Sequence, residues 1–553
     1  MANIPAHRLP AEESTALLLP RNAAAHPRNG STLRHSQSEA AWLLRNGWPI
    51  SLTIVLQYSA NAVSYMCLGR LVSGLPQDLA AASLGGAFAM LTGNSWMLGA
   101  LSALDTLCSQ SYTAGSRNTK LLGLHTQRAL VFIAVCFLPV SVLWWNTERI
   151  MLRVGQTPEL AALTGTYVRC LILQAPGSLV FDTIRRFLQG QGDMRTGARI
   201  ASITGPFGAL LSFFLILVCR DHIGFIGAPI ASAISSWAGA GLILVHAHKL
   251  PTWTRWSRAV FTGWRPFIKL ALPGILMACS ELWVFELLTI AASYFGPVAV
   301  AAQAITFQSA LIGIMIFIGI SLATANRIGN LLGGDKPSLA RISAWTAIVI
   351  TALLAFLNGA VIIALRHQWG YIYNKDEAVV SLVAKLLPVA AFFQFCSVIS
   401  MVCGGVLRGQ GRQLYGAAIR LFCIYIIGFP LAYALAFKLN MRMAGLWTAF
   451  FLAIMLTTFL EGLTIALTDW SKVARVSRDR VRREEQQMVA NDGTSRLVQN
   501  PRMDISRANN STDDHEECAS KRIDGLVAPG QPATYGSRTR TVDDSAVDAA
   551  FIV

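Results

Sequence analysis

Apolar residues along this chain fall into twelve runs, each long enough to cross a lipid bilayer and separated from the next by short polar or glycine-containing breaks. The first six lie near 46–68, 79–104, 121–145, 158–181, 199–219 and 223–247. The second six lie near 267–294, 298–324, 339–365, 378–405, 415–437 and 443–467. About 20 apolar residues cross the hydrocarbon core as a helix, so the pattern predicts an all-α membrane protein with twelve transmembrane helices. The second, fourth, eighth and tenth runs continue into weakly polar stretches that remain helical beyond the bilayer. Pro139, Pro176, Pro206, Pro229, Pro388 and Pro430 lie inside runs, where each frees backbone groups and kinks its helix; packing kinks are the plainer reading than hinges.

The runs repeat as a set. Leu188-Gln189-Gly190-Gln191-Gly192 returns as Leu407-Arg408-Gly409-Gln410-Gly411, and Gly197-Ala198 as Gly416-Ala417, both at an offset of 219 (407 − 188). Pro49 and Pro273, and Pro206 and Pro430, keep an offset of 224. Two pseudo-symmetric six-helix lobes follow: residues 41–248 as the N-lobe and 266–470 as the C-lobe, joined by a cytosolic linker at 249–265. Internal repeats of this kind build a central site between two bodies that rock against each other. The doubled Gly-Gln-Gly segment has neither the preceding strand nor the full glycine pattern of a dinucleotide site, and shapes the ends of the fourth and tenth helices.

Composition agrees: 53% of residues are hydrophobic and 14% charged, against roughly 25% charged in soluble domains. The net charge of +16 raises nucleic acid as a partner, and its placement removes it. Arg117, Lys120, Arg185, Arg186, Arg195, Arg199, Lys249, Arg255, Arg258, Arg265, Arg327, Lys336, Arg341, Arg408 and Arg412 crowd the loops after even-numbered helices, and the alternate loops are poorer. Positive charge marks the cytosolic side, so both termini are expected there. Residues 1–40 and 471–553 are polar and read as disordered tails, with Lys472 to Gln487 able to continue as a solvated helix. No cleavable signal peptide is expected, and the sequons at Asn29, Asn509 and Asn510 fall on the cytosolic side, where they stay unused.

Ten cysteines are scattered singly, and the histidines, apart from His246 and His248, are isolated; no disulfide framework, metal site or catalytic constellation is expected, and the chain is not read as an enzyme. Acids inside the apolar body are the sharper signal, because ionisable groups at membrane depth are costly and mark functional sites. Glu281 and Glu286 stand on the seventh helix, Asp105 near the end of the second, Asp182 at the end of the fourth and Glu461 in the twelfth. Glu281 and Glu286 are five residues apart, about 140° around a helix, so they do not share a face. Desolvation raises the pKa of a carboxylate and nearby cations lower it, which suits reversible protonation. Glu281, Glu286 and Asp105 are the coupling candidates; Asp182 and Glu461 suit helix pairing equally well. Asn61, Gln303, Gln308, Gln394, Trp283 and Tyr294 are candidates for a cavity lining, with Phe285, Phe307, Phe392 and Phe393 nearby.

Several ordered motifs carry a resemblance. Leu104-Asp105-Thr106-Leu107-Cys108-Ser109-Gln110-Ser111-Tyr112 with Ala114-Gly115 and Gly123 to Arg128, then Arg185 to Gly192, Leu272-Pro273, Glu281 to Glu286, Asn326 to Asn330 with Gly333-Gly334, and Gly404 to Gly409 together resemble the eukaryotic, and particularly fungal, multidrug and toxic compound extrusion (MATE) transporters over about residues 40 to 470. The resemblance implies a two-lobed bundle that alternates between inward-open and outward-open states and exchanges protons, or less readily sodium, for organic cations, drugs or metabolites. It gives Glu281 and Glu286 the family's role in cation recognition and coupling. Asn61, Gln308 and Ser397 stand where relatives have acids, which thins the acidic cluster and puts strong polycation affinity in doubt. The implied partners are a small organic solute and the lipid bilayer, with no nucleic acid, no cofactor beyond the coupling ion, and a monomeric protein. Glu13 to Leu18 looks like an acidic dileucine signal for a sorting adaptor, which favours the vacuolar over the plasma membrane. A lipid or lipid-linked sugar flippase of the same superfamily, and a non-transporting receptor or scaffold, are the alternatives.

Overall fold

Inside lipid every backbone amide must find its partner within the protein, which leaves helices or closed barrels, and this chain takes the first solution. The computed structural model describes residues 29–70, 76–114, 120–219 and 223–499, and among them there is no strand. Twelve long rods succeed one another where the twelve apolar runs lie. In the first half they are α1 (Asn29–Arg70), α2 (Pro76–Ala89, a π turn Met90–Asn94 and Ser95–Thr113), α3 (Lys120–Trp145), α4 (Pro158–Gly190), α5 (Thr196–Val218) and α6 (Gly224–His248). In the second half they are α7 (Arg265–Ser293), α8 (Pro297–Gly333), α9 (Pro337–Ile372), α10 (Glu377–Gln410), α11 (Gln413–Lys438) and α12 (Arg442–Ala466). A final helix, α13, runs Trp470–Gln499. Helix thus reaches back to Asn29 and on to Gln499, into both stretches that composition assigns to tails; the Glu13–Leu18 segment and the sequons at Asn509 and Asn510 lie outside the described residues.

Nine of the described helices, α3 and α5 to α12, are long and apolar enough to cross a membrane. The other three rods are lowered by polar residues in mid-helix: Gln57 and Asn61 in α1, Asn94 in α2, and Gln174 and Asp182 in α4. Apolar side chains such as Val349, Leu353, Phe356 and Leu357 on α9 and Leu138, Val142 and Trp145 on α3 are exposed, as lipid-facing residues of an integral multi-pass membrane protein are.

The packing scheme repeats with six added to each number. In the N-lobe α4 packs on α2, α3 and α6, and α5 on α1 and α6; in the C-lobe α10 packs on α8, α9 and α12, and α11 on α7 and α12. The lobes meet through α1 on α8 and α2 on α7, which the same relation exchanges, and through α2 on α8. Glycine allows the closest of these crossings: a Cβ at Gly99 of α2 would stand 2.5 Å from the Ile275 Cα of α7. The doubled Gly-Gln-Gly segment is architectural. Gly190 and Gly409 let α4 approach Cys108 of α2 and α10 approach Ala325 of α8. Gly192 (φ 92°) and Gly411 (φ 74°) take the left-handed conformation just past their helices, where a side chain is disfavoured.

The start of α1 and the whole junction from α12 to α13 lie on one side of the molecule, the terminal face. There the lobes are joined closely. Thr106 of α2 donates to the Arg408 carbonyl, Gln110 to the Gly409 carbonyl at 2.9 Å and Thr113 to the Asn330 carbonyl at 2.6 Å, while Ser51 of α1 donates to the Ile316 carbonyl at 2.6 Å. Arg327 of α8 pairs with Glu39 of α1 and stacks 4.7 Å over Trp42. Farther from this face, Cys279 donates to Ser95 and Gln308 to Tyr58 across the lobes.

Candidate functional site

Between the lobes lies a cavity of about 570 Å³, beginning above the closed terminal half. Its floor is ionic. Asp105 of α2 is fully buried and one of its oxygens accepts from Arg186 of α4 while standing 3.9 Å from Arg408 Nε of α10. Arg408 also donates to Ser321 of α8 at 2.8 Å. Asp182 pairs with Arg185 at 2.8 Å, one helical turn away on α4. Asp105 thus ties both lobes together at the base of the cavity.

The C-lobe wall carries a second ionic group. Glu281 of α7 lines the cavity with a quarter of its side chain exposed (25%), and it accepts from Arg420 Nη1 of α11. Arg420 is buried; its Nε donates to Glu461 of α12 at 3.0 Å and its Nη2 to the Ser400 carbonyl at 3.0 Å. Ser400 of α10 closes the ring by donating to Glu461 at 2.7 Å. Four helices therefore hold one arginine between two carboxylates, one fully buried and one at the cavity edge. Apart from this group the C-lobe wall is apolar, with Leu282, Phe285, Phe307, Leu311 and Ile314, and the Phe285 and Phe307 rings lie 4.6 Å apart.

The N-lobe wall differs. Gln57 and Asn61 of α1, Asn94 in the π turn of α2 and Gln174 of α4 line it together with Ser64, Ser178 and Ser235. Ser64 is hydrogen-bonded to Ser212 at 2.8 Å and Ser178 to Ser236 at 3.1 Å.

Of the residues singled out from sequence, the cavity brings together Glu281, Asp105 and Asn61. Glu286 is half-buried on another face of α7, outside the lining. Gln303 is buried in the C-lobe, accepting from Trp447 at 2.9 Å, and Gln394 is buried with its amide on Asn358 at 2.9 Å. Gln308 reaches across to Tyr58 at 3.3 Å. Trp283 is exposed outside the lining, and Tyr294 lies exposed at the end of α7. Arg420, Gln57, Asn94 and Gln174 are not singled out by the sequence. A cation within the apolar run at 415–437 was the available signal for Arg420. Among the described residues no group of three or more His, Cys, Asp or Glu side chains is placed to hold a metal ion.

Comparison with known proteins places this architecture. A family model, MatE, matches residues 49–214 and 273–434, one segment in each lobe. Protein DETOXIFICATION 16 of Arabidopsis thaliana is 32% identical over 457 residues, covering 82% of this chain and 92% of that protein. An uncharacterized transporter of Schizosaccharomyces pombe is 31% identical, covering 81% of this chain and 84% of that protein. Multidrug and toxin extrusion protein 2 of Oryctolagus cuniculus is 32% identical, covering 79% and 72%. Among solved structures, the eukaryotic MATE transporter AtDTX14 superposes with a TM-score of 0.75 at 26% identity, covering 81% of this chain and 99% of that one. The Vibrio cholerae MATE transporter VcmN in its bent form shares the fold, with a TM-score of 0.70 at 16% identity over 80% of this chain and 99% of that one.

Proposed function

Because the chain belongs to the MATE family of membrane transporters, we propose that it is a secondary active antiporter that exchanges protons for small organic solutes by alternating access. The observation that carries the reading is the ion pair of Glu281 with Arg420 at the cavity edge. Removing one partner of a buried ion pair normally strands the other charge. Here a proton on Glu281 strands nothing, since Arg420 keeps Glu461 and the Ser400 carbonyl. Glu281 can therefore exchange its partner, Arg420, for a proton without leaving an unmatched charge at membrane depth. Loss of that pair weakens the hold of α7 on α11 beside the cavity, leaving Tyr425 on the Ser280 carbonyl at 3.3 Å, which gives the proton leverage on the C-lobe wall that the solute also touches. Asp105, with Arg186 and Arg408, serves as the closure of the terminal half, the contact that must open when the cavity turns to that side.

Loops on the terminal face carry the excess of Lys and Arg, which supports a cytosolic orientation for that face. With the Glu13–Leu18 signal, the vacuolar membrane is the favoured location, and the outward proton supply is then the acidic lumen. The test is reconstitution into vesicles with an imposed pH gradient and a panel of organic solutes. Wild-type protein is expected to accumulate solute in proportion to the gradient, and Glu281→Gln to abolish exchange while sorting and melting like wild type. Exchange that Glu281→Gln leaves intact removes this carboxylate from the mechanism.

A further inference from the structure

The two walls of the cavity differ in kind, and the difference bears on the solute. Four amides of the N-lobe, Gln57, Asn61, Asn94 and Gln174, face the cavity with no side-chain hydrogen bond among the described residues. Each offers two donors and an acceptor and carries no charge. The charged lining groups, by contrast, each already hold an ionic partner: Asp105 holds Arg186 and Arg408, Asp182 holds Arg185, and Glu281 holds Arg420, while Arg408 also holds Ser321. At Glu281 the guanidinium of Arg420 sits where the cationic group of a bound solute would have to sit. A second cation must displace an arginine held by three further acceptor contacts, on Glu461, the Ser400 carbonyl and Ser400 Oγ. An anion meets arginines already engaged by the protein's own side chains: Arg185 by Asp182, Arg186 and Arg408 by their shared Asp105, and Arg408 by Ser321 as well.

We infer that the solutes this cavity accepts are uncharged and amphipathic, with a flat apolar or aromatic body lying against Phe285 and Phe307 and a rim of hydroxyl or amide groups bonded to Gln57, Asn61, Asn94 and Gln174. The inference rests on the transporter reading above and adds the class of solute. Hydrogen-bonding groups that line a cavity favour a ligand that fills them and reject one that leaves them dry, and a volume of about 570 Å³ holds one drug-sized molecule. The proton and the polar rim of the solute then meet different walls: the proton goes to Glu281 on the C-lobe and the rim to the N-lobe amides. Arg420 acts as the built-in cation of the site, so that Glu281 exchanges protons rather than recognising a charged drug.

The test separates the solute class from the coupling. Equilibrium dialysis of the purified full-length protein at neutral pH would use radiolabelled arbutin and salicin, two uncharged phenolic glycosides, with tetraethylammonium as the cationic probe. Saturable binding of a glycoside is expected, unaffected by tetraethylammonium and weakened about tenfold or more by Asn61→Leu and by Gln174→Leu, the loss of one well-placed hydrogen bond. Thermal melting checks that each variant is folded, and Asn61→Ala replaces any leucine variant that is not. Saturable binding of tetraethylammonium alone, no saturable binding of any probe, or glycoside binding undiminished in the folded variants each overturns the inference. Vesicle transport under a pH gradient keeps the two readings apart. Glycoside binding without gradient-driven flux retains the solute class and removes proton antiport, whereas gradient-driven flux of the cation alone retains antiport and removes the solute class.

Discussion

An arginine inside a helix bundle is tolerated only while its charge is matched and its donors are filled, and Arg420 meets both conditions through Glu281, Glu461 and Ser400. Arg420→Met removes the cation and leaves Glu461 fully buried beside Glu281, an uncompensated pair of acids. Breaking a buried ion pair from one side costs about 3–5 kcal/mol, so the variant is expected to melt well below wild type in detergent. Arg420→Met with Glu461→Gln removes charge from both sides and should recover much of the loss; a single variant that melts like wild type would show that the triad does not stabilise the lobe. The acid half of this site was legible in the sequence, because a glutamate such as Glu281 in an apolar run stands out. Its partner was not, since Arg420 is 139 residues away in the chain and only folding brings α11 beside α7. The four amides show a different limit: Asn61 was legible as an amide at membrane depth, but Gln57, Asn94 and Gln174 join it on one wall only once α1, α2 and α4 are packed.

Helix α13 shows how much an element can hide in a polar segment. Trp470, Ala474, Ser477, Val481 and Glu484 form its buried strip, at spacings of three to four residues, while Lys472, Arg475, Arg482 and Arg483 are exposed. Trp470 and Ala474 pack with Ile328, Leu332, Ala340 and Cys403 of the C-lobe, and Val481 packs with Leu121 and Leu124 of α3 and with Val260. The helix therefore straps the terminal face across both lobes, fastened by Arg478 to Asp335 at 2.7 Å and by Glu484 to His125 of α3 at 3.1 Å. Burial pushes the Glu484 carboxyl up, but His125, Arg480 and Arg128 outweigh it and hold the group below the usual glutamate range. A carboxylate whose folded pKa is depressed stabilises fully above its unfolded value and loses that contribution as pH falls through the folded one. The strap is thus expected to be tight at neutral pH and to loosen as the pH is taken below about 4.5, the ordinary glutamate value. Glu484→Gln should loosen it at neutral pH, because His125, Arg480 and Arg128 then face the site without their carboxylate, read as faster amide exchange over residues 470–488; exchange unchanged in the variant would place the strap's strength in its apolar contacts alone. Hydropathy found the long apolar helices and their order, but α13 buries only one strip, so its composition resembles a solvated tail. The same averaging lowers α1, α2 and α4, whose polar residues line the cavity rather than face lipid.

At the scale of the whole molecule, the proposed alternating access requires that the terminal half, now closed, come apart between α2 and α8. A hydrogen-bonded joint there is Thr113, which donates to the Asn330 carbonyl at 2.6 Å and lies beside Gly334. A Cβ placed on Gly334 would stand 3.8 Å from the Thr113 Cβ, within the roughly 3.5–4.5 Å that a disulfide spans, and Gly334 has an ordinary negative φ of −78°. Thr113→Cys with Gly334→Cys should therefore cross-link the lobes at the terminal face on mild oxidation. If transport proceeds by separation of the two lobes at this joint, the oxidised protein is arrested with its terminal half shut, reductant restores gradient-driven flux, and neither single variant responds to oxidant. Flux that continues in fully cross-linked protein would mean that the solute passes without parting α2 from α8. The two-lobed repeat would then be a scaffold holding a moving part elsewhere, with the Glu281–Arg420 wall of α7 and α11 the element left to move.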